Sequence, residues 1–174
     1  MIKIEKEGKF DDDFDGIYWL MSVRSNDEMR QSLQCIKVDG GLMVCTDGFR
    51  IHLYTPKRDI PDGVYEIVTF TKKMIILNET DLEYPNYMRV FPTKTHNGIP
   101  NIRTYDKEKR DNAVANFVLK NAEHPYNIRY LCEMCPCDDW LSFEQFDRGI
   151  LVHNESYTKG AILMAMRNLD EYTY

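Results

Sequence analysis

Residues 44–54 read Val44-Cys45-Thr46-Asp47-Gly48-Phe49-Arg50-Ile51-His52-Leu53-Tyr54, and the reading of this stretch decides the fold. Two apolar residues lead into Thr46-Asp47-Gly48, which is turn chemistry, and the five residues after Phe49 alternate polar and apolar as a half-buried strand does. The pattern predicts a tight β-hairpin in which Asp47-Gly48 supplies the positive φ of a two-residue turn. A side-chain period of two then sends Phe49 and Arg50 to opposite faces, so that an exposed aromatic and a guanidinium beside the turn form a contact surface.

Working outward toward the N-terminus, residues 32–38 (SLQCIKV) alternate as a strand, and Asp39-Gly40-Gly41 turns the chain back into residues 42–45. Together with the hairpin this makes residues 34–54 a three-stranded antiparallel meander. Ahead of it, Phe14, Ile17, Tyr18 and Met21 fall at helical spacing, which predicts a helix over residues 12–23. Its acidic opening, Asp11, Asp12, Asp13 and Asp15, complements the unpaired N–H groups and the positive dipole end of a first turn. A divalent-metal site is the other reading of these carboxylates, although adjacent ones cannot all converge on one ion. Ile2 and Ile4 alternate with lysines in a short strand that Gly8 ends.

Toward the C-terminus, a polar connection over residues 57–63 precedes strand-like residues 64–70 (VYEIVTF). Residues 74–77 (MIIL) fit a short buried helix or a strand equally, because periodicity cannot decide so short an apolar run. Residues 79–92 hold Pro85 and Pro92, and their Tyr84, Tyr87, Val90 and Phe91 need a surface to pack on, which predicts a strap across the sheet. Residues 93–112 read as loop. Their Lys94, Arg103, Lys107, Lys109 and Arg110 are candidates for phosphate contact, diluted by acidic neighbours. Residues 113–119 read as a strand. Residues 127–135 (NIRYLCEMC) read as a helix with Ile128, Leu131 and Cys132 on one face, ended by Pro136. Residues 140–146, 149–153 and 161–166 are three further strands. A helix followed by three strands thus occurs twice. The implied fold class is α+β, a repeated helix-plus-antiparallel-strands unit with halves at residues 1–92 and 93–174 in one compact domain.

The composition excludes several function classes. With 174 residues, 43% of them apolar, the chain can fill a core, and a net charge of −6 with 29% charged residues argues against a protein that coats nucleic acid by bulk charge. Any DNA contact must be local. No apolar run approaches the roughly 18 residues of a membrane span and no signal peptide opens the chain, so the expectation is a cytoplasmic protein with no membrane partner. Five cysteines, an odd count, are then expected to be reduced thiols. Cys132-x-x-Cys135-x-Cys137 resembles a zinc half-site, but the other half is missing unless His124 or His153 folds in; the alternative is helix-end thiols packed in the core. There is no P-loop, dinucleotide glycine fingerprint, nucleophile elbow or H-E-x-x-H pattern, and His52 and His153 lie in strand patterns as structural histidines. The chain is therefore expected to have no catalytic residues, no metal and no cofactor.

Several stretches resemble one known family when taken together. Val44-Cys45-Thr46-Asp47-Gly48-Phe49-Arg50-Ile51 resembles the ATDGHRL signature of the bacterial sliding clamp, the beta subunit of DNA polymerase III. Tyr84-Pro85-Asn86-Tyr87-Met88-Arg89-Val90-Phe91-Pro92 resembles that family's FPDYxRVxP segment, and Asn127-Ile128-Arg129-Tyr130-Leu131 its N-x-x-Y-L helix start. Ala161-Ile162-Leu163-Met164-Ala165-Met166-Arg167 resembles its closing VVMPMR strand, and Met29-Arg30-Gln31-Ser32-Leu33 sits where the family steps into its first strand. The motifs occur in the family's own order.

The resemblance implies a DNA-clamp-like fold and a non-catalytic role in DNA replication. It implies partners as well: DNA polymerase or other replication proteins held through short linear peptides, double-stranded DNA, and a homo-oligomer that encircles it. Carried over position by position, the peptide-binding pocket comprises Thr46, Phe49, Arg50, Ile51, Pro92, Ile162, Met164 and Met166. Apolar and thioether side chains there can adapt to leucine- or phenylalanine-bearing peptides, with Arg50 as a rim donor. The same residues packed as core is the competing reading. Clamp helices face DNA with basic residues, and the DNA-contact candidates near helix ends here are Arg24, Arg30 and Arg129. A clamp-like interaction module, inhibitor or adaptor of phage or mobile-element type that does not encircle DNA is the alternative function.

Overall fold

The computed structural model describes residues 1–93, 96–103, 111, 114–116, 120, 124–135, 140–146 and 148–166. The chain divides into two compact units, Met1–Arg89 and Val90–Tyr174. In the first, β1 (Ile2–Glu5) precedes α1 (Asp12–Met21). A 3-10 turn at Gln31–Gln34 then leads into β2 (Cys35–Asp39), β3 (Leu42–Thr46), β4 (Arg50–Tyr54), β5 (Gly63–Phe70) and β6 (Met74–Thr80). Within this unit the strands follow the order β1-β6-β5-β2-β3-β4, every neighbour antiparallel. The apolar run at residues 74–77 is therefore strand, because β6 is paired on both sides, by β1 and β5.

The α1 helix starts where Asp11 caps it, its carboxylate accepting from Phe14 N–H at 2.9 Å and Glu7 N–H at 2.9 Å. Its buried face is Phe14, Ile17, Leu20 and Met21, packed on Ile4, Ile36, Val38, Met43, Cys45, Ile75 and Leu77 of the sheet. Tyr18 lies half-buried at the margin, stacked 4.5 Å from Phe70. Gly40 and Gly41, with φ of +58° and +80°, turn β2 into β3 between the paired residues Asp39 and Leu42. Two consecutive positive φ values are what a type I′ hairpin turn requires.

The expectation of a half-buried β4 is corrected: all five of its residues are buried, Arg50 and His52 included. His52 stacks on Trp19 at 4.2 Å, and its Nδ1 lies 3.1 Å from the Trp19 carbonyl oxygen. A strand covered on both faces carries no reliable alternation. Across residues 79–89, Tyr84 donates its hydroxyl to the Val44 carbonyl at 3.2 Å and Tyr87 donates to Asp39 at 3.0 Å. Burial raises both phenols, Tyr87 to about 12.

The second unit contains β7 (His96–Arg103), α2 (Ile128–Met134), β8 (Trp140–Phe146), β9 (Gly149–Asn154) and β10 (Lys159–Met164), ordered β7-β8-β9-β10 and antiparallel. Two expectations fail here. Residues 96–103 form a strand, not a loop, because the ladder to β8 absorbs the breakers Gly98 and Pro100 at two register shifts. Residues 114–116 are helical, not strand, with Val114 fully buried; a short apolar run does not reveal its period. α2 begins at the expected cap, Asn127 accepting from Tyr130 N–H, but its buried residues are Leu131 and Met134, with Cys135 following.

Candidate functional site

The 46–51 segment is a larger turn than its Asp-Gly signal suggested. The ladder closes at Thr46 and Ile51, so four residues, not two, make the loop. The Asp47 carboxylate explains the difference: it accepts from Phe49 N–H at 2.9 Å, from Arg50 N–H at 3.0 Å and from Arg50 Nε at 3.1 Å. Thr46 Oγ1 donates to the Arg50 carbonyl at 2.7 Å and accepts from Gly48 N–H at 3.0 Å, while Gly48 takes φ +91°. Five hydrogen bonds thus hold one short loop. Arg50, only 8% exposed, folds back on Asp47, whereas Phe49 stands 59% exposed at the tip. Neighbouring Cys45 is fully buried, and its thiol is pushed up to about 12 by that burial. Beside the loop, Arg30 Nη1 and Leu33 Cδ1 lie 3.6 Å from where a Cβ on Gly48 would stand.

The remaining residues carried over from the family belong to the second unit. Ile162 and Met164 alternate along β10, opposite Leu151 and Gly149, and Ile162 is fully buried while Met164 is half-buried. Met166, past the strand end, is 49% exposed, and its N–H donates to the Pro125 carbonyl at 2.9 Å. Pro92 is half-buried. Thr46, Arg50, Ile51 and Ile162 are thus structural as well as candidate site residues, and Phe49, Pro92, Met164 and Met166 are the ones with apolar surface open to solvent.

The DNA-contact candidates are not bare cations. Arg30 pairs with Asp27 at 3.5 Å and Arg129 with Glu133 at 2.8 Å, while Arg24 lies over the Phe70 ring at 4.6 Å. The α1 carboxylates are used internally. Besides the Asp11 cap, Asp15 pairs with Lys6, and Asp13 accepts from Tyr54 Oη at 2.9 Å, Lys57 N–H at 2.7 Å and Arg58 Nε. Burial pushes Asp13 upward, but the bonds from Arg58, Lys57 and Tyr54 outweigh it and hold the carboxyl below its usual range. Sequence reasoning missed this network, since nothing local in the chain links residue 13 to residues 54–58.

A second feature without a sequence signal is a polar groove of about 500 Å³ in the first unit, lined by Arg24, Glu28, Gln31, Gln34, Glu66 and Ile67 among others. Among the described residues no three histidine, cysteine or acidic side chains are grouped to hold a metal. Cys135 is buried, its thiol bonded to the Leu131 carbonyl at 3.2 Å, and Cys132 lies 3.9 Å from the Asp111 carbonyl; Cys137 is outside the described residues. No described helix is long and apolar enough to cross a membrane.

No family model matches the chain, and no curated protein matches it. Solved structures do. The DNA polymerase sliding clamp of Pseudomonas aeruginosa superposes with a TM-score of 0.61 at 16% identity, covering 96% of this chain and 66% of that one. The DNA polymerase III beta subunit of Thermotoga maritima gives 0.62 at 10%, covering 96% and 65%, and the beta chain from Streptococcus pneumoniae 0.63 at 11%, covering 96% and 64%. The chain thus spans roughly two thirds of the length of these structures. The resemblance carried by the short motifs holds at the level of architecture: this chain has the fold of the bacterial DNA polymerase III beta sliding clamps.

Proposed function

We propose that this chain is a non-catalytic, clamp-like platform of DNA replication that docks short linear peptides of a DNA polymerase or another replication protein. The docking residues are Thr46, Phe49, Arg50, Ile51, Pro92, Ile162, Met164 and Met166. One observation carries the reading: Phe49 is 59% exposed at the tip of a loop that five hydrogen bonds hold in place. The folded chain has no need to display an aromatic there, and an anchor already fixed in position loses little entropy on binding. Thioethers at Met164 and Met166 suit a variable apolar peptide. In this reading the two compact units are copies of one helix-and-strands unit, and copies of the chain associate around double-stranded DNA.

The pairing of Arg30 with Asp27 and of Arg129 with Glu133 favours a second reading for the DNA part. In that reading the chain is an interaction module, adaptor or inhibitor that uses the peptide surface without encircling DNA. Cations already neutralised release few counterions from phosphate. Fluorescence anisotropy with a leucine- and phenylalanine-bearing peptide tests the platform. Binding that falls at least about ten-fold in Phe49→Ala and Met164→Ala supports it, and binding unchanged in both refutes it. Light-scattering mass together with retention on closed circular DNA decides between the two readings: a multimer that is retained supports encirclement, and a monomer that is not retained supports the module.

A further inference from the structure

The polar groove of the first unit holds charges of opposite sign that do not pair with one another. Arg24 rests its guanidinium on the Phe70 ring, which in turn stacks on Tyr18, and no described residue accepts a hydrogen bond from it. Glu28 and Glu66 line the same groove, both exposed and neither in an ion pair among the described residues. Gln31 and Gln34 add amides, and Ile67 adds an apolar wall. A guanidinium fixed on an aromatic face is pre-organised for a carboxylate, and separated opposite charges complement a ligand that carries both signs. The volume, about 500 Å³, is in the range of pockets that enclose small ligands or a few side chains.

The groove and the Asp47-Gly48 loop share a neighbouring element. The 3-10 turn Gln31–Gln34 contributes Gln31 and Gln34 to the groove, and Leu33 of the same turn lies 3.6 Å from where a Cβ on Gly48 would stand. Resting on the peptide-docking reading above, we propose that this groove receives the polar flank of the docked peptide, an acidic side chain against Arg24 and a basic one against Glu28 and Glu66. The preferred partner peptide is then apolar at its core and carries both charges in its flank. A purely acidic flank meets the glutamates, and a purely basic one meets Arg24.

Anisotropy on the full chain tests this with four peptides that share one leucine- and phenylalanine-bearing core. Their flanks are Ser-Ser, Glu-Lys, Glu-Glu and Lys-Lys. The Glu-Lys flank is expected to tighten binding about five-fold over Ser-Ser, with neither single-sign flank reaching it. Arg24→Gln and Glu66→Gln should each erase that advantage while leaving Ser-Ser binding unchanged. Equal affinity for all four peptides, or an advantage that survives both substitutions, overturns the groove assignment and leaves the docking reading intact. Failure of the Ser-Ser peptide itself to bind overturns both.

Discussion

Removing the Asp13 carboxylate should loosen the hold of α1 on the sheet, and the structure sets the size of the effect. Asp13 is 7% exposed and accepts from Tyr54 Oη, Lys57 N–H and Arg58 Nε. In Asp13→Ala, the buried Tyr54 hydroxyl loses its acceptor at about 1–3 kcal/mol, whereas Lys57 is exposed and its N–H turns to water at a smaller cost. The Arg58 side chain is 30% exposed and can turn to solvent, so its share is small. The sum is about 2 kcal/mol, below the cost of breaking a fully buried ion pair. For a chain of this size that lowers Tm by about 4–8 °C.

Thermal unfolding followed by circular dichroism at pH 7 reads this directly, and a double-mutant cycle with Tyr54→Phe isolates the shared bond. The double mutant should be less destabilised than the sum of the singles by about 1 kcal/mol. Asp13 is held below its unfolded value, so its contribution is complete above about pH 4 and is lost as pH falls through the lower folded value. The gap between parent and Asp13→Ala should therefore close in acid. A loss under about 0.5 kcal/mol at pH 7, or additive single mutants, would refute the reasoning.

Other predictions need one measurement each. Gly16→Ala, which ordinarily gains about 1 kcal/mol of helix propensity, should instead destabilise in chemical denaturation, because its Cβ would lie 2.3 Å from Tyr54 Cζ. Cys35 and Cys45, both buried with raised thiol pKa, should resist a thiol reagent at pH 8 in the native protein and react once it is unfolded. Phe49→Ala should leave the denaturation midpoint within about 0.5 kcal/mol of the parent, since the ring is mostly in solvent, while peptide affinity falls.

What could be read in the chain was local. Gly40-Gly41 announces its turn because two consecutive positive φ values leave few alternatives, and Asp11 and Asn127 announce helix starts because a carboxylate or amide must meet the first N–H groups. Asp47-Gly48 marked the right place with the wrong loop length, because Asp47 can cap two N–H groups and extend the turn. The misreadings fall where distant partners decide. Pairing with β8 makes a strand of residues 96–103 despite a proline, and contacts on both faces bury the polar positions of β4. Of the candidate site, the exposure of Phe49 followed from its place at a turn tip, but the inward fold of Arg50 onto Asp47 and the separated charges of the groove depend on side-chain geometry that spacing does not encode.

The most direct test of the central claim is to map where a docked peptide touches the protein. A leucine-bearing peptide carrying a photoreactive phenylalanine analogue, irradiated with the full chain and digested, should label fragments containing Phe49 and fragments containing Met164 or Met166. Labelling confined to other parts of the chain, or no labelling at peptide concentrations that saturate binding, would contradict the account.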